Sequence, residues 1–529
     1  MIPFYSAASV STADRAAVED FGLTPEILME SAGRGAAEVL LRLYGKIGWT
    51  LLCGTGRNGG DGLVLARHLL VAGCEVTVVL ATEKVQLRGE NALFLRVFES
   101  LGGKVLESRR IDDDNFQRLA GTHAGIVDAL LGTGAAGQPR GECGRMLSLL
   151  TLGGEPRVAL DIPSGVDPST GETWPTAFRA DLTLTFLAPK IGLRVMPGAA
   201  CAGRVEIIPI GVTPAKVLHA GDAEGYARED AENDWPLPAF DDNKGKKGTV
   251  IILGGCKRYR GAPLLAARAA LRAGAGLVVL AVPECIAKTV TLSLPEAVIA
   301  PASSANPQEL DYKTATRQLG EWSNKGATLV AGPGLGRSDT SAEIVRWISH
   351  EWTNPVVLDG DALFFLPGRV KAGLSLITPH EGEAARLVGK TARRVSAFRL
   401  KSVSEISAIY GPTLLKGPFS LCCDGKRTAF SLESSPALAV PGSGDVLAGI
   451  AGMLLSRNLS PFRAALAAAW VHARAARRLS IEKGSEAGLL ATEVSDAIPG
   501  VIGEFLSPGF PREAMDTLSS LPRREGRSR

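Results

Sequence analysis

Short apolar runs that end in glycine, separated by stretches with helical spacing, recur along this chain from one end to the other. Ser11–Tyr44 predicts helix, with Leu28, Met29, Ala32, Val39, Leu40 and Leu43 as its apolar stripe and Pro25 as a first-turn residue. A strand at Trp49–Cys53 runs into the loop GTGRNGGDG (Gly54–Gly62), a helix at Leu63–Val71 and a strand at Glu75–Leu80. That order is the first βαβ unit of a doubly wound sheet, whose ligands sit at the carboxyl ends of the strands. Further strands at Gly125–Leu131 and Arg157–Ile162 end in GTG and in Asp161-Ile-Pro-Ser.

The pattern is interrupted by charged, irregular sequence at 219–240, which reads as a linker, and then resumes. Strands are predicted at Thr249–Leu253, Leu277–Val282, Ala327–Ala331, Val356–Leu358, Leu374–Ile377 and Thr413–Leu415, and a hairpin across Cys422–Leu432. Helices are predicted at Ala262–Ala273, Ser341–His350 and Pro461–Glu482. The expected architecture is therefore α/β in two domains: an N-terminal Rossmann-like doubly wound domain over 1–218 and a second α/β domain over 241–506. The basic tail 507–529 lacks apolar periodicity and is expected to be mobile.

Composition narrows the function. Formal net charge is +3, and the terminal PRREGRSR alone carries that much, so a nucleic-acid surface is not expected. Eight scattered cysteines without a C-x-x-C pair indicate neither zinc nor a disulfide framework, and the absence of a leader pattern or membrane-length apolar run points to a cytoplasmic protein.

Candidate chemistry lies at the strand ends. Asn58 and Asp61 sit among the glycines of the first loop, Asp128 lies inside an apolar strand, and Ser164 follows Asp161. Asn58, Asp128 and Ser164 offer oxygen ligands for a hard ion of low charge, leaving Asp161 to handle protons. In the second half, Gly442-Ser443-Gly444 leads into Asp445 and an apolar helix. Small residues at a helix N-terminus suit a phosphate, and Asp445 is then either the base that deprotonates an attacking hydroxyl or a plain helix cap. No G-x-x-x-x-G-K-[ST] sequence is present, which disfavours a P-loop NTPase.

The motifs GRNGGDGLVLARHL, VDALLGTG, DIPSGVDPSTGE and ADLTLTFLAPKIGL make Ser11–Val212 resemble the epimerase domain of the NAD(P)H-hydrate repair enzymes. NKGKKGTVIILGG, GPGLG, DGDAL, TPHEGEAARLVG, LKGPFS and SPALAVPGSGDVLAGI make Asp241–Leu506 resemble the ribokinase-like dehydratase domain of the same enzymes. The resemblance implies a bifunctional enzyme that interconverts the R and S hydrates of NADH and NADPH and dehydrates the S form with ADP. It implies that Arg57, Asn58, Gly59, Gly60, Asp61 and the loop Gly132, Thr133, Gly134, Ala135, Ala136, Gly137, Gln138 hold the hydrated nucleotide, with Asp161 touching it. By the same likeness K⁺ is held by Asn58, Asp128 and Ser164. Lys416, Gly417, Pro418, Phe419, Ser420 and Gly444 would contact ADP, with Mg²⁺ on its diphosphate, while Ala262, Gly334, His380 and Asp445 would line the substrate. Asp445 then becomes the expected base. A homo-oligomer free of nucleic acid and membrane is expected. Arg57, Asn243 and Ser435 depart from the family's usual asparagine, histidine and asparagine. The competing readings are a ribokinase-type kinase of a small alcohol and a nucleotide-sensing protein without catalysis.

Overall fold

The computed structural model describes residues 1–135, 137–150, 156–239, 241–303, 306, 308–369, 371, 373 and 375–506. Two compact units divide between Ala223 and Glu224.

The first unit carries the short strand β1 (Ile2–Phe4) and a seven-stranded sheet of β2 (Trp49–Cys53), β3 (Val76–Leu80), β4 (Lys104–Glu107), β5 (Gly125–Ala129), β6 (Arg157–Leu160), β7 (Leu182–Phe186) and β8 (Arg204–Ile208). Its order is β4-β3-β2-β5-β6-β7-β8, and every pair is parallel. Helices cover both faces of such a sheet, which is why its strands read as continuous apolar runs. The winding reverses between β2 and β5. The loops that leave those two strands therefore border a crevice at their carboxyl ends, the place where open α/β sheets bind ligands.

Two expectations fail here. The single helix expected over Ser11–Tyr44 is two helices, Ala7–Glu19 and Pro25–Tyr44. Gly22, at φ +68°, turns the chain between them, and Pro25 begins the second helix without needing an N–H partner. The loop Gly54–Gly62 is also shorter than expected, because helix already starts at Arg57. Its glycines serve close packing: a Cβ on Gly59 would lie 2.0 Å from the Gly54 carbonyl oxygen, and one on Gly62 would lie 2.7 Å from Ala129 Cβ.

The second unit holds β9 (Ala223–Tyr226), β10 (Thr249–Leu253), β11 (Leu277–Val282), β12 (Val298–Pro301), β13 (Thr328–Ala331), β14 (Val356–Leu358), β15 (Ser375–Ile377), β16 (Thr413–Leu415), β17 (Leu421–Cys423) and β18 (Thr428–Ser431). They run in the order β9-β18-β17-β16-β15-β14-β13-β10-β11-β12, parallel except for the hairpin pairs β16–β17 and β17–β18. Here the winding reverses between β10 and β13. The segment 219–240 is not an irregular linker: β9 pairs with β18, and a helix follows at Arg228–Asp234. Four of its apolar residues, Ala223, Tyr226, Ala231 and Trp235, are buried and tie the segment down despite the polar composition around them, while Leu237 stays exposed. The tail 507–529, expected to be mobile, lies outside the described residues. Among the described residues no helix is long and apolar enough to cross a membrane.

The helix Ser443–Ser456 is apolar all round and sits in the core beneath the sheet. It lies so close to the helix Ala262–Ala273 that a Cβ on Gly449 would stand 2.1 Å from the backbone oxygen of Ala266. Gly449→Ala gains about 1 kcal/mol of helix propensity, but the carbonyl cannot rotate away without breaking its own helix. The variant is expected to be less stable by roughly 1–3 kcal/mol, the usual cost of overpacking, read as a lower urea midpoint.

Candidate functional site

In the first unit the crevice is a cavity of 590 Å³ lined by Asp14, Arg57, Asn58, Asp61, the Leu130–Ala135 loop, Asp161 and Lys190 among others. Gly54 carries no side chain because the carboxyl end of β5 presses on it; a Cβ there would lie 1.9 Å from the Leu130 oxygen. The Asn58 side-chain amide donates to the Leu131 oxygen at 2.9 Å and the Leu160 oxygen at 3.1 Å, stitching three strand ends together. Its carbonyl oxygen is buried with no hydrogen-bond partner.

Asp128, fully buried, accepts from Ser164 Oγ and from the Ser164 N–H, both at 2.7 Å, and from the Leu130 N–H at 3.1 Å. Burial pushes its carboxyl up to about 6 despite those donors. Ser164 Oγ in turn accepts from the Leu131 N–H at 2.9 Å. Of the three residues expected to share an ion, Asn58 and Ser164 thus bond the backbone of Leu131, and Asp128 bonds Ser164.

Asp161 occupies left-handed backbone at φ +63°, a strained conformation for a non-glycine residue. Its carboxylate accepts from the Lys190 ammonium, which is wholly buried and also donates to Thr185 Oγ1 at 3.0 Å and the Phe186 oxygen at 2.7 Å. Asp61 and Asp14 stand nearby. Burial first, then the charges of Asp161 and Asp14, push the Asp61 carboxyl well above its ordinary range. Burial and Asp161 likewise raise Asp14, although Lys190 and Arg57 oppose this. Arg57 lies at the mouth, 3.7 Å from Asp14.

The other expected contacts divide. Gly132, Thr133, Gly134 and Ala135 line the cavity, whereas Gly59 and Gly60 do not. Those two glycines are buried, and their N–H groups are spent on the Gly56 oxygen. Gly137 and Gln138 are exposed outside the lining, and Ala136 lies outside the described residues. Lys190 and Asp14 were not singled out from the sequence. The signal for Lys190 was present: a lysine closing the apolar run LTLTFLAPK can be buried only beside an acid.

In the second unit the loops after β10 and β13 meet as the winding predicts. Gly334, at φ +60°, leaves room for its neighbours: a Cβ there would lie 3.0 Å from Ala262 Cβ and 2.8 Å from Tyr259 Cβ. The helix Ser443–Ser456 starts one residue after Gly442, so Asp445 lies in its first turn. Asp445 makes no hydrogen bond to the helix end among the described residues, which removes the capping reading. Burial, and after it the charge of Asp359, push its carboxyl up to about 7, with Lys416 opposing.

Lys416 donates to Asp359 Oδ1 at 2.6 Å and lies 3.7 Å from Glu383. Burial alone would lower that ammonium, but Asp359 and Glu383 hold it above its usual range. Thr378 Oγ1 donates to the same Asp359 oxygen at 2.7 Å. A Cβ on Gly444 would lie 3.3 Å from Lys416 Nζ, so the bare backbone there gives the ammonium room beside the helix N-terminus. Ser443 Oγ contacts His472 Nε2 at 3.3 Å. Burial, then Lys416, lower that imidazole to about 3, so it supports the turn as a neutral group.

His380 caps the helix Glu381–Leu387: its Nδ1 accepts from the N–H groups of Gly382 at 2.9 Å and Glu383 at 3.3 Å. An accepting Nδ1 leaves the proton on Nε2, so the exposed edge of the ring is a donor. The loop Lys416–Ser420 is held from below by Arg399, which the sequence did not reveal. Its buried guanidinium donates to the carbonyls of Leu415 at 3.3 Å and Lys416 at 3.2 Å and pairs with Glu381. Phe419 adopts φ +48° at the crest of that loop. Asn243 does not bear on this edge, because it precedes the amino end of β10 and closes its own turn through the N–H groups of Gly245 and Lys246. Ser435 Oγ is buried without a hydrogen-bond partner.

Comparison with known proteins gives the same division of the chain. Residues 25–192 match the family described as YjeF-related protein N-terminus, and residues 250–500 match the family described as NAD(P)H-hydrate dehydratase. The bifunctional NAD(P)H-hydrate repair enzyme Nnr of Thermanaerovibrio acidaminovorans is 39% identical over 511 residues, covering 94% of this chain and 98% of the relative. The enzyme of the same name from Salinibacter ruber is 35% identical, covering 96% and 97%. A solved ADP/ATP-dependent NAD(P)H-hydrate dehydratase from Bacillus subtilis, co-crystallised with ATP and Mg²⁺, is 26% identical with a TM-score of 0.46, covering 54% of this chain and all of that one.

Proposed function

The chain belongs to the family of bifunctional NAD(P)H-hydrate repair enzymes, and on that premise we propose how its two sites divide the work. The first unit interconverts the R and S hydrates, and the second removes water from the S form at the expense of ADP. One observation carries the dehydratase assignment: a half-buried carboxylate, raised to about 7, stands uncapped in the first turn of an apolar helix beside a lysine.

A carboxylate so placed accepts the proton of the C6 hydroxyl as that oxygen attacks the terminal phosphoryl group of ADP. The P–O bond to AMP breaks as the new one forms. Phosphate then leaves C6 with its bonding electrons, the adjacent ring proton is lost, and the double bond of NADH or NADPH returns. Hydroxide is a poor leaving group and phosphate a good one, which is why the nucleotide is consumed. Lys416 and the N–H groups of the helix start supply positive charge to the phosphoryl oxygens, and the loop Lys416–Ser420 seats the rest of ADP. His380 donates from Nε2 towards the hydrated ring. Among the described residues no three His, Cys, Asp or Glu side chains converge on a metal position, which suits a Mg²⁺ ion that arrives on the diphosphate.

C6 bears both the hydroxyl and the ring nitrogen, so it inverts when the hydroxyl leaves as water, with the nitrogen lone pair taking up the positive charge, and water adds back to the opposite face. One group must give a proton to the departing hydroxyl and another must take one from the incoming water. Asp161, paired with Lys190, is the acceptor in this reading, and Asp61, kept protonated by burial and neighbouring acids, is the donor. K⁺ suits the ring of Asn58, Asp128 and Ser164, since the Asn58 carbonyl oxygen is buried and unpartnered and Asp128 is the one carboxylate among them. Bound there, it would offset the Asp128 charge and present a positive charge to substrate phosphate.

The test is direct. Mixed NADH hydrates and ADP, incubated with the full chain, are expected to return NADH absorbance with one AMP and one phosphate per NADH. Because Asp445 works as its anion, the rate should rise through an apparent pKa of about 7 and level off above it. NADH appearing without AMP, or a limb centred near pH 4, would count against the assignment. A small-molecule kinase would consume nucleotide without restoring NADH.

A further inference from the structure

Part of the first-unit cavity wall comes from neither the glycine loops nor the strand ends but from the helix Ala7–Glu19, which presents Val10, Ser11, Asp14 and Val18 at helical spacing. Asp14 is the one ionisable side chain that this helix puts into the lining. Its side chain is 30% exposed, and among the described residues its carboxylate accepts no hydrogen bond. The Arg57 guanidinium, 3.7 Å away, is too far to donate one and is itself mostly in solvent. Lys190, whose charge also reaches Asp14, is committed to Asp161. Asp61 is buried more deeply and stays protonated, so Asp14, which keeps contact with solvent, is the anion of the two. An anion without a donor at the wall of a ligand cavity costs free energy, and a positive charge inside that cavity would offset the cost.

The substrate at rest does not supply that charge, because its hydrated ring is neutral and its diphosphate is negative. The reaction does. The hydroxyl leaves C6 with the C6–O electron pair and the Asp61 proton, as water, while the ring nitrogen lone pair forms a C6–N double bond and the ring becomes a cation. Water adding to the opposite face forms the new C6–O bond, returns the pair to nitrogen and gives a proton to Asp161. Positive charge thus exists on the ring only between the two steps. A carboxylate fixed in the cavity wall favours that charged state over the neutral ones before and after it, and an interaction made only there accelerates the reaction.

We propose that Asp14 is a third catalytic residue of the epimerase site, its carboxylate facing the nicotinamide ring and stabilising the cation that forms when the hydroxyl departs. This rests on the epimerase reading above.

The experiment follows conversion of pure S hydrate to R by the full chain without ADP, so that dehydration is idle, in wild type, Asp14→Asn and Asp14→Glu. NAD⁺ and NADH serve as competitive inhibitors of that conversion, since one carries a planar cationic ring and the other a neutral one. Asp14→Asn is expected to lower kcat about thirtyfold with KM changed by less than about twofold, the pattern of an interaction made only in the transition state. It should also raise Ki for NAD⁺ about tenfold and leave Ki for NADH within about twofold, which certifies that the site is still folded. Asp14→Glu keeps the charge on a longer arm, so it should retain most of the NAD⁺ affinity and fall between in kcat. An equal loss of both inhibitors would make Asp14 a residue that only shapes the cavity, and an unchanged kcat would leave the cation to other groups. Either result overturns the proposal, as does a glutamate variant no better than the asparagine one. Failure of the epimerase reading looks different: wild type would then convert S hydrate no faster than buffer alone.

Discussion

Asp445→Asn is expected to lower ADP-dependent dehydration of the pure S hydrate by about a thousandfold, within the range for loss of a general base, while R to S interconversion continues at the wild-type rate. Asparagine keeps the shape and removes only the ability to take a proton. Stability provides an independent readout. With its native carboxyl raised to about 7 from an ordinary 3.8, Asp445 favours the folded state relative to its ionised form only while protonated. That contribution is fully present below pH 4, is lost as pH rises through about 7, and becomes a penalty above it. The neutral variant escapes this penalty, so it should be at least as stable as wild type at pH 8 and lose that advantage towards pH 4. Retention of more than a tenth of the dehydration rate would mean that another group takes the proton.

Asp161→Asn should lower interconversion by about a hundredfold or more and leave dehydration of the pure S hydrate intact. With mixed hydrates and excess ADP, NADH should then stop forming once the S fraction is consumed, where wild type runs on towards completion. This variant has a predictable side effect. Lys190 is wholly buried, and stripping the carboxylate from a buried ion pair costs about 3–5 kcal/mol. Adding Lys190→Met removes the orphaned charge and should restore much of the stability without restoring interconversion. If the double variant regains epimerase activity, the pair serves the fold and not the chemistry.

Much of this could be read from the chain because parallel strands buried on both faces leave unbroken apolar runs, and because function clusters where those runs stop. Strands such as Thr249–Leu253 and Leu277–Val282, and the helix Ala262–Ala273, have the expected limits. What stayed hidden depends on contacts between residues far apart in sequence. The glycines at 59, 60 and 62 read as an open loop, yet they are a helix pressed into its neighbours, a distinction that lies in the partners and not in the glycines. Arg399 looks like any surface arginine until the Leu415 and Lys416 carbonyls close over it. The strand Ala223–Tyr226 was masked by charged neighbours that reach solvent while its apolar residues pair into the sheet.

The bare backbone at Gly449 has a consequence for the chemistry as well as for stability. Asp445 sits one helical turn before it, on the same rod. Any side chain at 449 would push that rod off the Ala266 carbonyl and shift the carboxylate with it, out of its present setting beside Lys416. The placement of the reactive group is thus gauged by a position outside the residues assigned to either nucleotide, so a variant there can silence the enzyme while every assigned residue is unchanged.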